Sequence, residues 1–249
     1  MQLRQFTTLG IAILFTLWAC PANAQTIALF DGKTLNGWVT AQGEPVTKGW
    51  QVEDGAIKLD RSMGRGGNIF TDRQYGHFIL DFEWKIAKGG NSGVKYKVKK
   101  FDGRILGCEY QIIDDEGARS VNKNSTASLY DVYAPREKHV RPVGEFNQSR
   151  IVVCGSSIQH WLNGHLVLTA HVGSDEWYAK KEKSKFNDVK GFGENTFGTI
   201  MLTDHNSDVW YRNMYLTSIQ PKEQRTRRLD NHNRVLRRVA WRRTNRRHS

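Results

Sequence analysis

Phe78-Ile79-Leu80-Asp81-Phe82-Glu83-Trp84-Lys85-Ile86 decides the fold of this chain. Side chains alternate between the two faces of a strand, so Phe78, Leu80, Phe82, Trp84 and Ile86 share one face. Ile79, Asp81, Glu83 and Lys85 share the other. A large apolar face backed by a charged one predicts a strand with one side on a core and one side in water. Working outward, the same grammar repeats. Trp50–Glu53 and Ala56–Leu59 flank Asp54-Gly55, and Ser157–Leu162 and His165–Ala170 flank Asn163-Gly164. Both dipeptides signal tight hairpins. Asn68–Thr71, Val94–Lys99, Cys108–Asp115, Ser128–Pro135, Arg150–Val153, Thr199–Thr203 and Val209–Ser218 supply further short β segments. Gly89–Gly93 is read as a turn between two of them, and Trp177–Gly193 has room for one short helix. Many short strands separated by Gly, Asn and Asp turns predict an all-β fold, an antiparallel two-sheet β-sandwich.

Three segments compose the 249 residues. Residues 1–24 read as a secretory signal peptide: Arg4, an apolar run from Leu9 to Ala19, and a small-residue cleavage site at Ala22-Asn23-Ala24. Cleavage after Ala24 exposes Gln25 and predicts a periplasmic or secreted protein, with lipidation at Cys20 as the alternative. Residues 25–220 form the β domain, long enough to bury a sizeable core. Residues 221–249 form a basic tail that lacks a core pattern and reads as a solvated extension. That tail carries 11 Lys and Arg against two acids, so it holds +9 of the formal +12. Arg4 adds +1, which leaves the β domain near +2. A nearly neutral body in an exported chain argues against a nucleic-acid partner, and no later segment is apolar enough for stable membrane insertion.

Sites for a metal or cofactor are not expected. No Cys/His cluster has zinc-site spacing, and the phosphate-loop, dinucleotide and nucleophile-elbow signatures do not occur. After removal of the leader two cysteines remain, Cys108 and Cys154, whose spacing does not demand a bond. The Cys108–Asp115 segment is more informative. Its Glu109 and Gln111 project from one face, an acid and an amide two residues apart, suited either to gripping a polyol or to plain solvation. Asn91, Lys95, Tyr130, His160, Trp161, Asp204 and His205 add amide, cation, aromatic, imidazole and acid groups at or near strand ends. Such a mixture suits sugars. Each also has a plainer reading: His160 alternates with Ile158 and Leu162 and fits a core histidine, Trp161 fits packing, Asp204-His205 fits a turn, and Lys95 with Lys97 fits a solvated face.

Several blocks together resemble the 3-keto-disaccharide hydrolase domain family. They are LFDGKTLNGW at residues 29–38, GGNSGVKYKV at 89–98, EYQIIDD at 109–115, SLYDVYAP at 128–135, RPVGEFNQSRIVV at 141–153, IQHWLNG at 158–164 and LTDHNSDVWYRN at 202–213. The chain departs from the family pattern at Lys95, Lys97, Thr203 and Asn206, which bears on substrate choice. The resemblance implies a concanavalin-like jelly roll with a sugar site on its concave face. It implies cleavage of glycosides already oxidised at carbon 3 by a separate sugar 3-dehydrogenase, through proton abstraction, elimination and rehydration. On that basis Glu109 is the leading catalytic base, with His160 and His205 as rivals. Asn91, Lys95, Gln111, Tyr130, Trp161 and Asp204 are assigned to substrate binding. A lectin-like binding module is the alternative. A conventional glycosidase with closely spaced acids on one strand finds only Asp81 and Glu83 to work with.

Overall fold

The structure, a computed structural model, describes residues 25–115 and 117–219; the expected signal peptide and basic tail lie outside the described residues. In chain order the strands are β1 (Thr26–Ala28), β2 (Trp38–Val39), β3 (Trp50–Glu53), β4 (Ala56–Leu59), β5 (Ile69–Thr71), β6 (Phe78–Ile86) and β7 (Asn91–Phe101). They continue with β8 (Arg104–Ile113), β9 (Asn147–Cys154), β10 (Ser157–Leu162), β11 (His165–His171), β12 (Thr199–Leu202) and β13 (Val209–Ser218); helix α1 (Asp175–Glu182) lies between β11 and β12. The strand pairs of the described residues are antiparallel and build two sheets. The larger runs β11-β10-β9-β6-β13-β4-β3, with β1 also paired to β13. The smaller runs β2-β5-β12-β7-β8.

Strand β6 alternates buried and half-buried along its whole length, as its sequence dictates. Its inward residues meet those of the smaller sheet. The Phe82 ring packs edge-on against Tyr110, with centroids 5.5 Å apart. Trp84 is fully buried and donates its indole N–H to Ser149 Oγ at 2.8 Å. Truncating a side chain such as Phe82 to alanine would cost about 3–5 kcal/mol, from lost transfer energy plus a cavity. Both predicted hairpins form with positive φ at the two central residues, Asp54 (48°) and Gly55 (73°), Asn163 (47°) and Gly164 (86°). That backbone matches the right-handed twist of the flanking strands.

Three local expectations are corrected. Asn91, Ser92 and Gly93 do not turn the chain; they begin β7 and pair with Ile113, Ile112 and Gln111. Ser128–Pro135 is not a strand but a folded-back loop, with Ala127 and Asp131 both at positive φ. Its backbone still bonds to the edge of β8, through Tyr130 N–H to Glu109 O at 3.0 Å and Ala127 N–H to Gln111 O at 2.9 Å. Third, Lys95 and Lys97 do not share a face. The β7–β8 register breaks between Tyr96 and Lys99, and Lys97 stands at φ 53°. One extra residue in a bulge reverses the alternation, and Lys97 is buried while Lys95 stays half-buried.

Candidate active site

The outer face of the smaller sheet gathers the polar residues that the β8 pattern singled out. Glu109 lies opposite Lys95 in register, and Gly93 lies opposite Gln111. Gln111 donates from Nε2 to Asn91 Oδ1 at 2.9 Å. Asn91, Lys95, Glu109 and Gln111 are thereby brought together across two strands. The missing side chain of Gly93 makes the arrangement possible. A Cβ there would sit 2.5 Å from Glu109 Oε1, so the carboxylate leans over the glycine. No other residue type leaves that space.

Glu109 is only 3% exposed, and its Oε1 is buried with no hydrogen-bond donor among the described residues. Its Oε2 faces Lys95 Nζ at 3.4 Å. Burial raises the Glu109 pKa above the usual carboxylate range, against the opposing pull of Lys95 and Lys185. A carboxyl group raised toward neutrality, with one oxygen unspent, has the form of a general base.

Lys185 was not singled out by the sequence, because it lies in a polar, lysine-rich stretch without strand periodicity. Helix α1 carries it into place. Ser174 caps the helix by accepting from Trp177 N–H at 3.2 Å, and Trp177 packs between Tyr133 and Phe192. The chain leaving the helix donates Lys185 N–H to Asp131 Oδ2 at 2.6 Å. The Lys185 ammonium then lies 4.0 Å from the centre of the Tyr130 ring. Burial lowers the Lys185 pKa, partly offset by attraction to Glu109. Burial also raises the Tyr130 phenol, with Glu109 and Asp131 adding to the effect, so it stays protonated at neutral pH.

Asp204 and His205 follow β12. The Asp204 carboxylate accepts from Gly67 N–H and Asn206 N–H, both at 2.8 Å, and its own N–H donates to Asn68 Oδ1 at 2.9 Å. Arg65 donates to its carbonyl at 3.2 Å. Asp204 therefore ties down the loop that presents His205. The His205 imidazole is lowered by partial desolvation and by Lys95, Arg65 and Lys185, and is neutral at pH 7.

Two candidates do not join this cluster. His160 lies fully buried between the sheets, bonded through Nε2 to Tyr96 OH at 2.8 Å and through Nδ1 to the Ala127 carbonyl at 2.9 Å. Burial holds its pKa at about 4, so it is a neutral core histidine. Trp161, its neighbour on β10, points the other way, to the outer face of the larger sheet, where its indole donates to Gln159 Oε1 at 3.1 Å. Cys108 and Cys154 are both free. Among the described residues no cluster of three His, Cys, Asp or Glu side chains has metal-site geometry, and no helix is long and apolar enough to cross a membrane.

The antiparallel two-sheet sandwich is the fold that the sequence predicted. The 3-keto-alpha-glucoside-1,2-lyase-like domain family matches residues 25–217. The chain belongs to that family. It is 34% identical over 221 residues to a curated 3-keto-disaccharide hydrolase of Bacteroides thetaiotaomicron, covering 76% of each protein. A solved structure of a candidate glycosyl hydrolase from Parabacteroides distasonis superposes with a TM-score of 0.68 at 30% identity, over 78% of this chain and 94% of that one. A second such structure from the same organism reaches 0.62 at 24% identity, over 78% of this chain and all of the other, and shows the fold alone.

Proposed function

We propose that this protein is a carbohydrate-active hydrolase that cleaves 3-keto-glycosides, with Glu109 as the base. One observation carries the reading: a buried carboxylate with a free oxygen beside a lysine, on the outer face of the smaller sheet. A ketone at carbon 3 of the sugar acidifies the hydrogen on carbon 2. Glu109 takes that proton, and the electron pair of the C–H bond becomes an enolate whose oxygen carries the charge. Lys95 and Lys185 stabilise it. The enolate expels the group on carbon 1, and water adds back to give net hydrolysis. Gln111 and Asn91 hold sugar hydroxyls. Tyr130, protonated at neutral pH, donates a hydrogen bond to the substrate, and His205 is the rival base. No pair of acids at glycosidase spacing is required.

The enzyme then works downstream of a reaction that oxidises the sugar at carbon 3. We also propose export, with Gln25 as the mature N-terminus; mass spectrometry of the secreted protein would read it directly, and an intact Met1 on soluble intracellular material would refute it. The activity is tested by incubation with 3-keto-trehalose and with unmodified trehalose. Release of sugar from the keto substrate alone is expected. Tight binding of unmodified sugar without turnover of either would instead establish a lectin-like module.

A further inference from the structure

The bulge that buries Lys97 creates a second polar site. Lys97 is 5% exposed and turned between the sheets, away from the face that carries Lys95. It lines a cleft of about 370 Å³ together with His77, just before β6, Gly155 and Ser156 in the turn between β9 and β10, and Asn195 and Thr196 from the segment before β12. That volume suits a small ligand. The position is rigidly built. Asn195 Nδ2 donates to the Lys97 carbonyl at 3.0 Å, and Gly198 packs so closely that a Cβ would lie 2.4 Å from the Lys97 backbone.

A buried ammonium is costly unless it is paired. No carboxylate among the described residues lies within ion-pair distance of Lys97. The nearest acid in the cleft, Glu194, is exposed and accepts a hydrogen bond from Tyr178 OH at 3.2 Å. Among the other cleft groups, Asn195 spends its amide hydrogens on the Lys97 and Phe197 carbonyls and leaves its Oδ1 buried without a partner among the described residues, while His77, Ser156 and Thr196 can donate. Gly155 N–H donates to His77 Nδ1 at 3.2 Å, so a neutral His77 keeps its hydrogen on Nε2. Ser156 and Thr196 add hydroxyls. Burial lowers the Lys97 pKa, and Lys97 in turn helps to hold His77 below its usual value. A counter-anion would reverse the first effect.

We propose that this cleft binds a small, monosaccharide-sized ligand bearing an oxyanion, a carboxylate or a phosphate, which pairs with Lys97. The site is separate from the Glu109 face and does not depend on the activity assigned there. The test is isothermal titration calorimetry on the full chain at constant ionic strength, with glucuronate, glucose 6-phosphate and glucose as probes. At least one anionic sugar should bind saturably, at least about tenfold more tightly than glucose, as expected for a desolvated charge pair. Which of the two binds identifies the oxyanion. Binding should persist in Glu109→Gln. It should weaken at least about tenfold in Lys97→Met. Ser156→Glu, at an exposed turn that tolerates substitution, places a like charge at the mouth and should weaken it similarly, whether or not the Lys97 variant folds. Failure of both anions to bind, equal binding of glucose, survival of binding in Ser156→Glu, or its loss in Glu109→Gln would overturn the proposal.

Discussion

The outer faces of the two sheets carry the same kinds of residue and use them oppositely. On the larger sheet, Arg150 Nε lies 2.6 Å from Asp81 Oδ1, with the two side chains 50% and 39% exposed. Arg212 Nε lies 2.8 Å from Glu83 Oε2, and its guanidinium covers the Phe146 ring at 3.7 Å. Lys58 pairs with Glu53 at 2.8 Å. These carboxylates are partnered and reach water. On the smaller sheet, Glu109 is walled in and one of its oxygens has no donor. Exposed pairs are held weakly and change little on folding. A desolvated acid with an unspent oxygen is poised to take a proton. The proposed role of Glu109 as a base rests on its burial and incomplete pairing, not on the presence of Glu and Lys.

The largest effect that separates the two faces is catalytic. Glu109→Gln keeps shape and hydrogen bonding but removes basicity, and should lower turnover of a 3-keto-glycoside roughly 10²–10⁴-fold. Glu83→Gln should leave steady-state turnover unchanged. Equal activity of the two variants would erase the distinction and move the chemistry to His205.

Gly93→Ala should come next. The added methyl group would occupy the space of Glu109 Oε1 and displace the carboxylate. A misplacement of about 1 Å can cost roughly 10²-fold in rate. Stopped-flow or steady-state kinetics should show the loss in kcat, while circular dichroism reports a folded sandwich. Full activity would mean that the position of the carboxylate over Gly93 is not the productive one.

The smallest effects concern stability, and they differ in sign. Burial raises the folded-state pKa of Glu109. The stabilising influence of its neutral form is therefore present below the unfolded pKa and lost as pH rises through the folded one. Glu109→Gln, permanently neutral, should melt higher than the parent protein at pH 7, and that gain should vanish below about pH 4. Glu83 behaves in reverse. Burial pushes its pKa up, but hydrogen bonds from Arg212 and neighbouring amides outweigh that and hold it low. Its stabilisation is present above the unfolded pKa and lost as pH falls through the folded one. Glu83→Gln should cost about 0.2–1 kcal/mol at pH 7 and nothing in acid. Melting temperatures measured across pH 3–8 read both signs; a destabilised Glu109→Gln at pH 7 would show that its ion pair with Lys95 outweighs its burial.

Much of this molecule was written locally. Alternation fixed β6 and β10, because a period of two is a property of consecutive residues. Asp54-Gly55 and Asn163-Gly164 fixed two hairpins, because few residues accept positive φ. Glu109 and Gln111 were legible as a pair for the same reason: adjacent same-face positions on one strand share a neighbourhood whatever the partner strand is. Failures occurred where a distant partner decides. Gly89–Gly93 read as a turn because glycine is a breaker; that Gly93 is strand, and empty for the sake of the Glu109 side chain, depends on which strand lies beside it. Lys97 read as a partner of Lys95 because nothing in the residues announces a bulge; the register of β7 against β8 turned it inward. His160 and Trp161 are adjacent in sequence and lie on opposite faces of the larger sheet, so neither meets Glu109. Lys185 reaches the site only because α1 docks through Trp177. The sequence by itself determined the strands whose alternation is unbroken, such as β6 and β10, the two hairpin turns and the faces those strands present, since these depend on neighbours along the chain. Tertiary structure alone decided which charges were buried, which were paired and which were left with a free oxygen or an unpaired ammonium, since desolvation is set by what packs across space.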